Sequence, residues 1–248
     1  MPSERQVKVV ARKKIVYVIV EGPSDDEALG VILSRLYDKN IVQVEITHGD
    51  ITSNPKINSS QILSKVGDIV RYYGMNNGFK QKNFQEVIHI MDTDGTYIDD
   101  DRIVKNDEAI NKPIYSLTEI KTANPEGLRE RNKNKKENMD KLCGSQHVWV
   151  SIPYRAFYMS SNLDHVLYNK LNSSDSDKEK DALSFAKKYK DDLDGFLTFI
   201  SDSSFSVMGG YKESWDFIRQ DLHSLERYTN LGICFNELRE QRKELIGG

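Results

Sequence analysis

The chain has 248 residues, of which 38% are hydrophobic and 29% charged, so it is long enough to bury a substantial core. Its 35 basic and 38 acidic residues give a formal net charge of -3, which excludes wholesale attraction to nucleic acid and leaves only local basic patches for such contacts. No segment has the roughly 20 uncharged apolar residues of a membrane-spanning helix, and the first fourteen residues lack the apolar run of a signal peptide. Because Cys143 and Cys234 lie far apart and no metal-ligand spacing is present, we predict a cytoplasmic protein without disulfides, zinc or membrane contact.

The first part of the chain alternates between strand and helix patterns. Residues 13–22, KKIVYVIVEG, form a β-branched and aromatic run that is typical of a strand buried on both faces. A helix is predicted to follow with Ser24 as its N-cap, because acidic residues fill its first turn and apolar residues recur at helical spacing. A strand over 41–46, a helix over 59–73 and a strand over 84–95 complete a βαβαβ pattern. This order predicts an α/β fold with a parallel sheet flanked by helices.

The later part of the chain departs from this order. Residues 97–145 include a short strand pattern, IYSLTEI, and a charged helix, LRERNKNKKENMDKL, and are interpreted as an insertion. The strand pattern resumes in HVWVSIP, residues 147–153, and helical patterns dominate after Asn162. These later helices are predicted in FAKKYKDDLDGFLTFI, ESWDFIRQDLHSLERY and FNELREQRKEL. We therefore predict one α/β domain over 1–160, with its insertion, and a mainly helical region over 161–248.

Acidic side chains follow two of the predicted strands. Glu21 comes after the first strand, and Asp92 and Asp94 come after the third. Neighbouring strands lie about 4.8 Å apart and the carboxyl ends of parallel strands share one edge of the sheet, so these carboxylates can converge. Crowded carboxylates need a cation, and an oxygen ligand set without Cys or His suits Mg²⁺ or Mn²⁺. The spacing predicts a divalent metal site that could act on a phosphoryl group.

Two short motifs carry a family resemblance. V-E-G-P-S-D at 20–25 and I-M-D-T-D-G at 90–95 together resemble the TOPRIM domain of topoisomerases, primases and several nucleases, in which a Glu-Gly turn follows one strand and an Asp-x-Asp turn follows a later one. The E-G-x-S-D form before an Ala-Leu helix looks most like the overcoming-lysogenization-defect (OLD) type. The resemblance covers about residues 13–160 without the insertion. It implies a TOPRIM-like catalytic domain that cleaves phosphodiester bonds in DNA or RNA with Mg²⁺.

The same resemblance implies roles for individual residues. Glu21 matches the metal ligand or general acid/base, Gly22 the tight turn, Asp92 and Asp94 the metal ligands, and Asp25 a further acidic ligand of the nuclease branch. Such nucleases often belong to anti-phage and abortive-infection systems, some of them with an ATPase partner. Because the sequence has no G-x-x-x-x-G-K-[ST] loop, an ATPase would be a separate protein. The choice between DNA and RNA, and any homo-oligomer, are left open by the sequence.

Other interpretations compete with the nuclease. M-D-T-D-G-T also resembles the D-x-D-G-T motif of haloacid-dehalogenase-type phosphatases, with Asp92 as nucleophile and Asp94 as acid/base. That family usually carries the motif after its first strand, whereas two βα units precede it here, and Glu21 would have no role. A third hypothesis is a non-catalytic subunit whose helical C-terminal region docks an ATPase. Asp25, in turn, could merely complement the dipole of the helix that it begins.

Basic residues supply candidate contacts for phosphate. The first fourteen residues and the segment 121–141 are both locally positive. Lys121 and Arg155 are the individual residues that we predict to bind substrate phosphate. The basic run between Arg129 and Lys141 alternates with acidic residues, so it fits an exposed, salt-bridged helix as well as a nucleic-acid contact.

Overall fold

The chain folds around a mainly parallel five-stranded sheet. The structure, a computed structural model, describes residues 13–39 and 41–240. In chain order its strands are β1 (Lys14–Val20), β2 (Val42–His48), β3 (Phe84–Asp92), β4 (Ile103–Lys105), β5 (Ile114–Tyr115), β6 (Ile120–Thr122), β7 (His147–Val148) and β8 (Ile152–Met159). The large sheet has the order β2-β1-β3-β8-β7, in which only β7 runs antiparallel to its neighbour. Strands β4, β6 and β5 form a separate small sheet.

Helices cover both faces of the large sheet. They are α1 (Pro23–Leu36), α2 (Ile62–Asn76), α3 (Pro125–Cys143), α4 (Leu163–Tyr168), α5 (Asp175–Tyr189), α6 (Leu193–Asp202) and α7 (Tyr211–Ile218). Val16, Val18 and Val20 of β1 pack in one core with α1, α5 and α6, while the alternate residues of β1 pack in a second core with α2, α3 and α7. This two-sided burial explains the continuous apolar run of β1. The predicted α/β class, with a parallel sheet flanked by helices, is confirmed.

The first helix begins earlier than predicted. It starts at Pro23 with Gly22 as the N-cap, so the assignment of Ser24 as the cap is wrong. Proline suits the first helical position because its missing N–H would have no partner there. The Asp25 carboxylate accepts a hydrogen bond from the backbone N–H of Gly22 at 2.8 Å. Asp25 therefore closes the turn that directly follows Glu21.

The prediction of one strand over 147–153 is wrong. Strand β7 ends at Val148, and Trp149 and Val150 follow with φ values of 42° and 71° before β8 begins. Positive φ is uncommon outside glycine and rarer still for a β-branched residue, so an alternating apolar pattern gives no sign of such a turn. The neighbour of β3 in the sheet is instead the buried run of β8, IPYRAFYM.

The insertion and the C-terminal helices pack onto the same sheet. Helix α3, from within 97–145, contacts α2 and β8, and its Met139 and Leu142 join the sheet core. The helical pattern predicted over 185–200 is broken between α5 and α6, where the Asp192 side chain accepts a hydrogen bond from the Gly195 N–H and caps α6. The helix predicted over ESWDFIRQDLHSLERY ends early, at the end of α7.

Some predictions fall outside the described residues. The basic residues Arg5, Lys8 and Arg12, and the end of the FNELREQRKEL pattern beyond residue 240, are among them. Within the described part of the chain, no helix combines the length and the apolar character needed to cross a membrane.

Candidate active site at the carboxyl ends of β1 and β3

The sheet brings the predicted carboxylates to one place. Strands β1 and β3 are parallel neighbours; Glu21 directly follows β1 and Asp92 is the last residue of β3. Asp94 lies in the turn after β3. Glu21, Asp25 and Asp94 are all close enough to raise the pKa of Asp92 by charge repulsion. The four acidic residues predicted as metal ligands therefore form one electrostatic group, which we call the carboxylate cluster.

A tight turn after β3 places Asp94. The backbone N–H of Thr93 donates to the Met159 carbonyl at 2.9 Å, and that of Asp94 donates to the Ser161 carbonyl at 2.8 Å. Asp94 and Gly95 have φ values of 48° and 64°, so both adopt the left-handed conformation. Asp and Gly tolerate that conformation better than most residues. The D-x-D-G sequence thus allows a sharp change of chain direction directly after β3.

A buried lysine lies between two of these carboxylates. Lys135 of α3 is 0% exposed, and its Nζ is 3.1 Å from Glu21 Oε1 and 2.6 Å from Asp94 Oδ2. Because both oxygens contact the same nitrogen atom, Glu21 and Asp94 lie within bridging reach of one cation. The two acidic turns, which are distant in sequence, meet at this ammonium group.

Lys135 was missed in the sequence because it lies within a run of exposed charges. A signal was nevertheless present, since the buried positions of α3 recur at intervals of three and four residues, as they do on one face of a helix. The buried residues on this face are Leu128, Asn132, Lys135, Met139 and Leu142. The sequence-based prediction placed α3 on the surface, and so it missed that the polar residues Asn132 and Lys135 on this face are also buried.

One ammonium group cannot neutralise all of these carboxylates. Burial favours the neutral form of Asp94, but Lys135, Arg131 and Lys178 together outweigh burial and lower the pKa of Asp94 below its usual value. Burial raises the pKa of Glu21 to about 8 despite the opposing effect of Lys135. Burial and the neighbouring acids raise the pKa of Asp92 well above its usual range. Asp94 is therefore the ionised partner of Lys135, whereas burial and charge repulsion favour the protonated form of Asp92.

Polar residues from the loop after β2 complete the surroundings of Glu21. Thr52 is fully buried, and its hydroxyl lies 3.3 Å from Glu21 Oε1 and 3.1 Å from Asp50 Oδ1. Asp50 adds a further negative charge, which raises the pKa of Glu21. Neither Asp50 nor Thr52 belongs to a motif that the sequence singled out.

Asp25 lies on the side of the carboxylate cluster that faces α5. Burial raises its pKa to about 6; the Gly22 N–H opposes this shift, and nearby Asp164 adds to it. Lys178 of α5 lies 3.4 Å from Asp164 Oδ2 and supplies a positive charge on this side. Asp25 therefore both caps α1 and contributes charge to the cluster, so its geometry is compatible with the capping and the ligand interpretations.

The two predicted phosphate-binding residues do not lie at the carboxylate cluster. Lys121 of β6 forms an ion pair with Glu119 at 3.2 Å. Arg155 lies in the middle of β8, opposite Ile88, and pairs with Glu86 at 2.7 Å. The structure thus gives no positional support for a contact between either residue and a phosphate held by the cluster.

The donor chemistry of the cluster suits a hard divalent cation, although no ligand geometry is preformed. In residues 13–39 and 41–240, no three His, Cys, Asp or Glu side chains are arranged to hold a metal ion, and Lys135 bridges two of the candidate ligands instead. Asp92 forms no hydrogen bond or ion pair with any described side chain, and its acidic neighbours raise its pKa. A divalent cation beside Asp92 would relieve this repulsion, and oxygen ligands alone favour Mg²⁺ or Mn²⁺.

Comparisons with known proteins do not assign the chain to a family. No protein-family model, curated protein or solved structure matches it. The evidence for function is therefore the geometry and charge of the cluster itself.

We expect the contribution of Glu21 to the stability of the metal-free protein to fall as the pH rises from about 5 to 8. Glu21 has a folded-state pKa of about 8, above its usual value, so its stabilising contribution is complete below the usual value and is lost as the pH rises through about 8. While Glu21 is protonated in the folded state and ionised in the unfolded state, it contributes a slope of about 1.4 kcal/mol per pH unit. Asp25 contributes in the same direction up to about pH 6.

Urea unfolding in EDTA at several pH values measures this dependence. The Glu21→Gln variant should show a shallower slope than wild type between pH 6 and 8, because its amide does not titrate. Equal slopes in the two proteins would contradict the raised pKa of Glu21.

Proposed function

We propose that the chain is a Mg²⁺-dependent nuclease of the TOPRIM type, closest to the OLD branch, which hydrolyses phosphodiester bonds in DNA or RNA. The observation that carries this proposal is the meeting of Glu21 and Asp94 at Lys135 beside Asp92, at the carboxyl ends of adjacent parallel strands. Such edges of parallel sheets are where active-site groups gather. The resemblance of the two motifs adds the reaction class.

In this proposal Glu21, Asp92 and Asp94 would hold the metal, with Asp25 as a further ligand. When bound, Mg²⁺ or Mn²⁺ supplies charge stabilisation for a phosphoryl group and lowers the pKa of a water molecule. The residues of the chain supply the rest. Lys135 keeps Asp94 ionised and holds Glu21 against it, so we assign Lys135 a positioning role.

Glu21 is the residue best suited to move a proton. A water oxygen forms a bond to phosphorus, the bond from phosphorus to the departing ester oxygen breaks, and the water proton must pass to a base. The Glu21 side chain is only 13% exposed, and burial raises its pKa in the metal-free protein to about 8, towards the range in which a carboxyl group both accepts and returns protons efficiently. Its hydrogen bond from Lys135 fixes the orientation of the carboxyl group.

The biological setting of the proposal comes from the OLD resemblance. We propose a cytoplasmic effector of an anti-phage or abortive-infection system, acting with a separate ATPase. Nucleic acid is the substrate, and the carboxylate cluster recognises its phosphate, which DNA and RNA share.

Cleavage assays test the proposal directly. Supercoiled DNA, single-stranded DNA and RNA are incubated with wild type in Mg²⁺, Mn²⁺ or EDTA. We expect metal-dependent cleavage that falls about a hundredfold or more in Glu21→Gln and in Asp92→Asn, because each change replaces a carboxyl group that binds the metal in its ionised form with an amide. Binding of Mn²⁺, followed by its electron paramagnetic resonance signal, should weaken in the same variants.

Asp26→Asn is the matched control. Asp26 is the next acidic residue in the first turn of α1 and lies outside the carboxylate cluster, so its loss should change cleavage less than twofold. Metal-dependent cleavage that survives both Glu21→Gln and Asp92→Asn would refute the proposal.

The phosphatase remains a second candidate because of Lys135. The dehalogenase-type site needs a downstream lysine, and Lys135 is a buried lysine in contact with Asp94. In that reaction an Asp92 oxygen bonds to phosphorus, the ester bond breaks, and Asp94 donates a proton to the departing oxygen. However, Lys135 lowers the pKa of Asp94, which disfavours a proton donor. Hydrolysis of p-nitrophenyl phosphate with a trappable phospho-Asp92, unaffected by Glu21→Gln, would favour the phosphatase.

A further inference from the structure

A groove opens at the opposite end of the sheet from the carboxylate cluster. It lies at the amino ends of β1 and β3, beside the turn between β7 and β8, and encloses about 690 Å³. Three lysines and three aromatic residues dominate its lining, and we call it the basic groove. These residues are Lys14, Lys80, Lys82, Phe79, Phe84 and Trp149.

Within the part of the chain that the structure describes, the charge of the basic groove is uncompensated, because no acidic residue lines it. Among residues 13–39 and 41–240, none of its three lysines forms an ion pair with a carboxylate, and Lys14 Nζ donates only to the carbonyl oxygen of Lys82 at 2.7 Å. Lys80 and Lys82 are both exposed to solvent. In a protein with net negative charge, this local excess of lysine complements a polyanion.

Phe79, Phe84 and Trp149 form the aromatic wall of the basic groove, and an unusual local backbone structure positions Trp149 within it. Trp149 is half-buried and packs edge-to-face on Phe84 with ring centroids 5.8 Å apart. Glycines in α2 make room for it, since a Cβ on Gly74 would lie 3.0 Å from the indole ring and one on Gly67 would lie 3.1 Å from the Trp149 nitrogen. A glycine inside a helix is less favourable than alanine, and the left-handed conformations of Trp149 and Val150 are more costly still.

We propose that the basic groove binds an unpaired stretch of nucleic acid, with phosphates on Lys14, Lys80 and Lys82 and a base against Trp149. Lysines beside aromatic rings are the combination with which proteins hold single strands, because every base has a face that can stack. An acidic peptide would satisfy the lysines but would leave the aromatic wall without a role. The proposal rests on the proposed nuclease function in one respect: that function is a reason to choose nucleic acid over an acidic peptide as the ligand.

The position of the basic groove relates it to the carboxylate cluster. Phe84 and Asp92 are the first and last residues of β3, so they are separated by about 26 Å at a strand rise of about 3.3 Å per residue. At about 3.4 Å per stacked nucleotide, a single strand of about eight nucleotides spans that distance. A substrate longer than this could occupy the groove and the cluster together.

Binding in EDTA tests the groove without depending on catalysis. A fluorescein-labelled 20-nucleotide single-stranded DNA is titrated with wild type and with the double variant Lys80→Glu, Lys82→Glu. We expect the double variant to bind about tenfold more weakly, because two phosphate contacts become repulsive. Lys180→Glu with Lys187→Glu, at exposed positions of α5, makes the same change in net charge and should alter affinity less than twofold.

Tryptophan fluorescence separates stacking from charge. Trp215 is 1% exposed, so quenching by an added oligonucleotide reports on Trp149. We expect the 20-nucleotide strand to quench this fluorescence and an abasic strand of equal length to bind without quenching. Absence of quenching by the base-containing strand, or equal weakening in both double variants, would overturn the proposal. Binding of poly-glutamate in place of the oligonucleotide, lost in the Lys80, Lys82 variant, would assign the groove to an acidic protein instead.

The groove and the nuclease proposals can fail separately. If the oligonucleotide binds through the groove and no metal condition gives cleavage, the nuclease function is refuted and the groove stands. If cleavage occurs and the groove variant binds like its control, the groove is refuted and the nuclease stands.

Discussion

Replacing Lys135 with methionine should destabilise the protein by about 3–5 kcal/mol at neutral pH, the usual cost of removing one partner of a buried ion pair. Lys135 is 0% exposed, and its ammonium contacts both Glu21 and Asp94. Methionine fills a similar volume, so the loss is one of charge rather than of packing. Without the ammonium, Asp94 loses its ion-pair partner, and burial raises its pKa against the more distant charges of Arg131 and Lys178.

The dependence of this stability loss on pH and on Mg²⁺ shows whether it arises from the missing charge. Urea unfolding should show a smaller penalty near pH 5 than at pH 8, since the carboxyl groups then fold in their protonated forms. Under the proposed function Mg²⁺ should restore part of the loss, because a ligand at a hundred times its dissociation constant adds about 2.7 kcal/mol. Lys133→Met, at an exposed position of the same helix, should cost less than about 0.5 kcal/mol. A Lys135 variant no less stable than this control would contradict the assigned role.

The sequence was informative about the sheet because burial on both faces leaves a local pattern. The run of β1 is continuously apolar, β3 is apolar and buried over most of its second half, and each strand ends in an acidic turn. Since parallel strands share their carboxyl edge, the approach of Glu21 to Asp92 follows from strand order alone. The βαβαβ alternation and right-handed connections predict parallel strands but leave their order open, and the structure places β3 beside β1.

The lysine that joins these turns could not be found in this way. Lys135 is separated from Glu21 by 114 positions and lies in a helix whose composition is that of an exposed surface. Its burial depends on how α3 packs against α2 and β8, which is tertiary information. The turn at Trp149 and Val150 was missed for a related reason, because its cost is recovered by contacts with a distant helix.

Gly95→Ala should destabilise the protein by about 2–5 kcal/mol and disturb the carboxylate cluster. Gly95 has a φ of 64°, and a Cβ at this position would lie 2.5 Å from Leu225 Cδ2 and 2.9 Å from Ile120 Cδ1. Both contacted side chains are fully buried, so neither can move into solvent. The left-handed conformation costs a side chain roughly 1–2 kcal/mol, and overpacking adds about 1–3 kcal/mol.

Gly78→Ala separates these two costs. Gly78 has a similar φ of 69°, but no atom lies within 4 Å of the position where its Cβ would be. Alanine there bears only the conformational cost, so urea unfolding should show a loss of roughly 1–2 kcal/mol. Gly95 directly follows Asp94, and relief of its clash would shift the turn that holds Asp94 against Lys135. Gly95→Ala should therefore also weaken Mn²⁺ binding, whereas Gly78→Ala should not. Equal stability losses in the two variants would show that close packing around Gly95 does not hold this turn in place.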